Sequence, residues 1–160
     1  MDQVNDEVIR EACVRAAEML SGIGYTGRFG SFHLLRDLNL QTNTVTAILH
    51  NMVAWQISQL DPRWKFHPKG GDTADLTCDD GRCIQVKATS GKKILGNRVS
   101  RGAGEYIGVR YKPVQGDELA IHIQEVLVGS LTSEDWDRKE GTQWAVRCAW
   151  ASRRSVCAPS

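Results

Sequence analysis

The 160-residue chain lacks any apolar run of about 18 residues, so no membrane-spanning helix is expected. Its first residues do not read as a signal peptide: "MDQVNDEVIREACVRAAEML" is acidic and amphipathic, without a basic region followed by an apolar block. It has no Cys-x-x-Cys pair, and its five cysteines are an odd number, which argues against a disulfide framework and for free thiols in a reducing cytoplasm. No internal repeat and no low-complexity segment is present, which argues against a solenoid. Net charge is nearly absent too, at +1, and selects no partner by itself.

What is present is ordinary for one globular domain spanning 1–160. Apolar residues make 41% and charged residues 24%, and a chain this long buries roughly 70% of its unfolded surface. Residues 1–60 read as a helical part. Val4, Val8, Ala12, Ala16, Met19 and Leu20 recur at helical spacing, and "SGIGYTG" breaks the pattern. "SFHLLRDL" reads as a short helix capped by Ser31. From Thr44, the positions Val45, Ile48, Leu49, Met52, Val53, Ile57 and Leu60 give another helix, ending before Pro62.

Residues 62–131 read as a sheet core. "RWKFH", "ADLTC", "RCIQVKA", "EYIGVRY" and "LAIHIQEVLVG" are rich in β-branched and aromatic residues with partial alternation. In 132–160, Thr132 or Ser133 caps a short helix at "TSEDW", "TQWAVRCAW" is a strand or a helix, and "ASRRSVCAPS" is a frayed tail whose Arg153 and Arg154 are available to phosphate. Helices followed by a central mixed sheet of about five strands make an α/β or α+β fold.

"GGDTADLTCDDGRCIQVKATS" is the informative stretch, because the length of its turn decides which residues share a face. A two-residue turn, Asp80-Gly81, would set apolar Leu76 opposite Gln85. A three-residue turn, Asp79-Asp80-Gly81, with Gly81 in the left-handed position, sets Leu76 opposite Ile84 and Asp75 opposite Gln85. The second choice collects Ala74, Leu76, Ile84 and Val86 on one face and Asp75, Thr77, Gln85 and Lys87 on the other. It also separates Cys78 from Cys83. A carboxylate, an amide and an ammonium thus meet on a hairpin, where plain solvation is the alternative explanation of the polar face.

These residues resemble the core signature of the PD-(D/E)XK nuclease superfamily, with its restriction-endonuclease-like fold: a lone Asp opening one strand, then (D/E/Q)-x-K on the next. Asp75, Gln85 and Lys87 match those positions, and "GGDTAD" is similar to the glycine-containing turn that often precedes the Asp. The resemblance covers residues 44–112. Gln85, where most members carry an acid, resembles the Q-x-K variant of Mrr-like and modification-dependent enzymes. Many members carry a Glu on the preceding helix; here that helix offers His50, Asn51 and Gln56, and Ser31 stands at another such position. The second acid expected of the family would come from Asp72 or Glu105.

The resemblance implies a metal-dependent DNA endonuclease of the restriction type. It implies Asp75 as metal anchor, Gln85 and the Val86 carbonyl as further ligands of Mg²⁺ (Mn²⁺ substituting), and Lys87 orienting or deprotonating the attacking water. Double-stranded DNA is the implied partner, and a homodimer would cut both strands. A catalytically weak or inactive DNA-binding module on the same fold is the alternative, and an interaction protein without nucleic acid a third.

From Lys87 to Lys112 the bases are Lys87, Lys92, Lys93, Arg98, Arg101, Arg110 and Lys112, and the only acid is Glu105. Lys92, Lys93, Asn97, Arg98 and Arg101, in the glycine-flanked loop "SGKKILGNRVSRG", are the DNA-binding candidates. "LLRDLNLQTNTVTAILHNMV" has helix-turn-helix spacing with Thr42 or Asn43 opening the second helix; two packed core helices account for the same pattern. His33, His50, His67 and His122 show no metal spacing and read as structural or exposed. Trp136, Trp144 and Trp150 read as core or interface aromatics.

Overall fold

The computed structural model describes residues 4–22, 24–26, 32–34, 41–68, 74–95, 103–114, 120–138, 144–147 and 153–156. Helix α1 spans Asp6–Gly22. Asn5 opens it, its Oδ1 accepting the Glu7 amide at 2.8 Å, and the helix buries Ile9, Ala12, Cys13, Ala16, Ala17 and Leu20. Helix α2 spans Thr42–Leu60 and buries Val45, Leu49, Val53, Ala54, Gln56 and Ile57. It stops at an extended Asp61, the residue that Pro62 bars from helical backbone. The two helices pack together, and the buried Gln56 amide reaches the Met19 sulfur at 2.8 Å.

Eleven strands occur among the described residues: β1 (Gly24–Thr26), β2 (Phe32–Leu34), β3 (Trp64–Phe66), β4 (Leu76–Cys78), β5 (Cys83–Thr89), β6 (Lys93–Leu95), β7 (Gly104–Val114), β8 (Ala120–Leu131), β9 (Asp137–Arg138), β10 (Trp144–Arg147) and β11 (Arg153–Val156). The main sheet has six of them, in the order β11-β8-β7-β5-β4-β3. All its neighbours are antiparallel except β5 and β7, so the sheet is mixed, as expected, and one strand larger. A smaller sheet runs β6-β10-β9, and β1 pairs with β2.

Two apolar clusters sandwich the main sheet. On one face α1 and α2 cover Leu76, Ile84, Val86, Ala88, Ile107, Val109, Tyr111, Val126 and Val128. On the other, Tyr106, Leu127 and Leu131 pack with Ile94 of β6 and with Trp136, so the small sheet caps part of that face. Tyr106 meets Trp136 edge-to-face at 5.6 Å. A 3₁₀ turn over Ser133–Asp135 carries the expected Thr132 cap, closed by the Asp135 carboxylate. No described helix is long and apolar enough to cross a membrane.

Three expectations need correction. Within "SFHLLRDL", residues Phe32–Leu34 are a strand pairing antiparallel with Gly24–Thr26, so these three are not helical as expected, and the rest of that stretch lies outside the described residues. The tail is not frayed throughout, because Arg153–Val156 forms the edge strand beside β8. The sheet therefore extends past residue 131; of the two readings of "TQWAVRCAW", the strand is the one found, at Trp144–Arg147. In each case pairing with a distant strand decides the conformation over local propensity.

Candidate active site

The hairpin joining β4 to β5 has the three-residue turn. The Cys78 amide bonds the Arg82 carbonyl at 2.8 Å, and the Gly81 amide bonds the Cys78 carbonyl at 2.9 Å. Gly81 takes φ +85, the left-handed conformation that a residue without Cβ adopts at least cost. Leu76 faces Ile84 and Thr77 faces Cys83. Leu76, Ile84, Val86 and Ala88 are buried on the helix side, while Gln85 and Lys87 project to the other. Cys78 and Cys83 stand on opposite faces with free thiols.

Antiparallel ladders bond at every second rung. Cys78–Arg82 is a bonded rung, Leu76–Ile84 is the next, and Ala74–Val86 would follow. There the chain bends out of β4, and the Asp75 carboxylate takes the Val86 amide instead, Oδ2 accepting at 2.8 Å. A carboxylate bonded to a strand amide lies near the plane of the sheet. The Val86 carbonyl leaves the strand on the same edge as its amide, so it turns toward the same notch. On the far side of β4 the Asp75 carbonyl accepts the His67 amide at 3.0 Å, which pins the bend from behind.

Lys87 closes the cluster. Its Nζ lies 3.5 Å from Asp75 Oδ2 and donates to Gln85 Oε1 at 3.1 Å. Asp75 is only 8% exposed, an acid that must be compensated where it stands. Asp75, Gln85 and Lys87 are thus brought together as the hairpin register requires. Next to them Thr77 hydrogen-bonds the His67 ring at 2.7 Å. Tyr106, the cross-strand partner of Gln85, has its hydroxyl pushed up to about 12 by burial, with the Asp75 charge adding to it.

His50, one of the three polar residues that the resemblance offers on the preceding helix, feels the charges of this cluster. It is half-buried on α2, and both Asp75 and Lys87 act on its ring. Burial is the largest influence and lowers its pKa; the Lys87 charge lowers it further, while the Asp75 charge and the Thr46 carbonyl oppose. The residue lies 25 positions from Asp75 in sequence, so only the packing of α2 on β5 reveals it. Of its neighbours on α2, Asn51 is half-buried and Gln56 is spent on the contact with α1.

Glu105, one of the two candidates for a second acid, pairs in register with Ile84, accepts the Ser130 hydroxyl, and lines a cavity of about 30 Å³ with Trp64, Arg82 and Val128. Lys92 and Lys93 are exposed, and Lys93 sits opposite Arg147 in the small sheet. Arg110 is paired with Glu125 at 3.1 Å. Asn97, Arg98, Arg101 and Asp72 lie outside the described residues. Among the described residues no three His, Cys, Asp or Glu side chains gather as a metal cluster. The notch does offer three hard oxygens, from Asp75, Gln85 and the Val86 carbonyl, a donor set that suits a hydrated Mg²⁺ or Mn²⁺ held largely by water.

No family model matches the chain, and no curated protein is significantly similar to it.

Proposed function

We propose that this protein is a metal-dependent DNA endonuclease that hydrolyses phosphodiester bonds in duplex DNA. The observation that carries this is the convergence of Asp75, Gln85 and Lys87 at the one rung where the β4–β5 ladder opens. A structural ion pair needs no such opening, no amide oxygen turned to the same ammonium, and no exposed lysines following on the next strand. A cation held by Asp75, Gln85 and the Val86 carbonyl would neutralise charge on the phosphate and acidify a water.

The chain's own groups do the rest. Asp75 is fixed by the Val86 amide and so presents its remaining lone pairs in a set direction. The Lys87 ammonium orients the attacking water and offsets the negative charge that grows on the phosphoryl oxygens. The water oxygen bonds to phosphorus and gives up a proton to solvent, the bond to the 3′ oxygen breaks, and that oxygen takes up a proton from solvent, leaving a 5′-phosphate and a 3′-hydroxyl. Lys92 and Lys93 would meet the DNA backbone. Two copies would cut the two strands.

The test is cleavage of a mixed duplex library, modified and unmodified, with Mg²⁺ or Mn²⁺, comparing wild type with Lys87→Ala. Cutting that needs the ion and is lost in the variant is the expected result. The presence of one carboxylate in the notch favours a second reading, a DNA-binding module on the same fold without cleavage. Steeply salt-dependent DNA binding without any cutting would select it. Neither cutting nor salt-sensitive binding would sink both.

A further inference from the structure

We infer that Lys93 and Arg147, opposed across the small sheet, together form a site for one backbone phosphate of the DNA. This rests on the DNA-binding reading given above, and it adds Arg147 to the residues that meet the nucleic acid.

The small sheet turns two different faces to its surroundings. In β6 the middle residue, Ile94, is buried with Tyr106, Leu127, Leu131 and Trp136, while Lys93 and Leu95 on either side of it are exposed. Residues directly opposite each other in an antiparallel pair share a face. Val146 is the partner of Ile94 and Arg147 is the partner of Lys93, so β10 carries Val146 on the inner face and Arg147 on the outer one. Two cations therefore stand on one rung, with Cβ atoms about 5 Å apart.

Such a rung is unfavourable by itself, because like charges directly opposite repel. Cations on and beside the main sheet are arranged differently: Arg110 meets Glu125, Lys65 meets Asp79 and Arg82 meets Asp80. None of the ion pairs formed among the described residues includes Lys93. The acid described in the small sheet, Asp137, stands opposite Ala145, two residues along β10 and one strand further from Lys93. Glu105, the only acid between Lys87 and Lys112, shares a rung with the buried Ile84 and so belongs to the helix face of the main sheet. An oxyanion placed between Lys93 and Arg147 replaces one repulsion by two attractions. A planar guanidinium beside a compact ammonium suits a phosphodiester.

The rung is also tied to the notch. The Thr89 hydroxyl donates to the Lys93 carbonyl at 2.8 Å and accepts the Gly91 amide at 3.1 Å. Thr89 lies on β5, two residues beyond Lys87 and on the same face, about 7 Å away along the strand. Lys93 is thus held at a set place relative to Lys87.

Fluorescence anisotropy of a labelled duplex, titrated with the full chain over a range of salt concentrations and without divalent ions, tests this. The variants are Lys93→Ala, Arg147→Ala, the two together, Lys93→Glu and Arg15→Ala, the last removing one positive charge from the helix side as a control. Wild type should bind with a steep dependence on salt. Each single alanine variant should lower the slope of log K against log salt by about one, and the double variant also by about one, because the phosphate is shared. Arg15→Ala should leave the slope unchanged. Lys93→Glu should weaken binding more than Lys93→Ala does, yet unfold at a urea concentration no lower than wild type, since it turns repulsion across the rung into attraction. That combination separates loss of the site from loss of the fold. Wild-type affinity and slope in both Lys93→Ala and Arg147→Ala would overturn the phosphate site and leave the DNA-binding reading standing. So would a slope lowered by about two in the double variant, which means two separate phosphates, or a lower urea midpoint in Lys93→Glu. A wild type that binds no DNA in a salt-sensitive way would overturn both.

Discussion

Replacing Asp75 by asparagine and by alanine separates two things its carboxylate does. Asparagine keeps an acceptor for the Val86 amide and removes the charge. At 3.5 Å from Lys87 Nζ, an effective dielectric of 20 gives a gross attraction of about 5 kcal/mol. Desolvation of two ions cancels most of that, and the Lys87 side chain, 24% exposed, can turn to water when its partner goes. The net cost of Asp75→Asn is then about 1–2 kcal/mol. Alanine takes away the acceptor as well and leaves the amide of the fully buried Val86 unpaired, a further cost of about 1–3 kcal/mol. Urea unfolding followed by the fluorescence of the five tryptophans resolves the two, because each kcal/mol moves the midpoint by about half a molar unit. Alanine should unfold at clearly lower urea than asparagine. Coincident midpoints would refute the claim that the carboxylate stands in for a rung of the ladder.

Gly81→Ala forces a Cβ into φ +85 with open space around it, so the cost is conformational alone, about 1–2 kcal/mol; a thermal midpoint equal to wild type would show the turn to be different. Burial pushes the Cys13 thiol up to about 12, whereas Cys83 is exposed, so native-state iodoacetamide should label Cys83 before unfolding and Cys13 only after it, as peptide mapping would read. The His50 ring, held below its ordinary 6.5 mainly by burial, resists the proton that the unfolded chain accepts. Its contribution to stability is therefore complete above that value and is lost as pH falls through it toward the lower folded value. Urea midpoints between about pH 7.5 and pH 5 should fall less steeply in His50→Gln than in wild type, and an unchanged slope would sink the assignment.

The hairpin was legible because two constraints coincide in it. Alternation demanded that Leu76, Ile84 and Val86 share a face, and Gly81 supplied the only turn length that allows it. The long helices were legible from their periodic apolar residues, and Pro62 fixed the end of the second. Phe32–Leu34 was misread because "SFHLLRDL" has helical propensity, while its strand depends on pairing with Gly24–Thr26. Arg153–Val156 was hidden for a similar reason: "RRSV" has no apolar alternation, and it is a strand because β8 presents an edge to it. The three hairpin residues could be read from local parity, whereas His50 was only one of three polar residues offered by its helix, since which of them meets the cluster's charges depends on how that helix packs over a strand formed later in the chain.

The one parallel joint in the main sheet, β5 against β7, bears on how the protein is put together. The β4–β5 ladder closes over a three-residue turn, whereas Ile84 and Glu105, the first pair of the joint, stand 21 positions apart. Closing the longer loop costs about 2 kcal/mol more chain entropy, and it must be repaid at once by the burial of Val86, Ala88, Ile107 and Val109. Gln85 and Lys87 lie on that same strand, between the residues that make the repayment. The notch therefore acquires its floor only when the two halves of the sheet join. A chain with the hairpin alone would hold the motif without the site, and any chemistry at Asp75 is reserved for the finished fold.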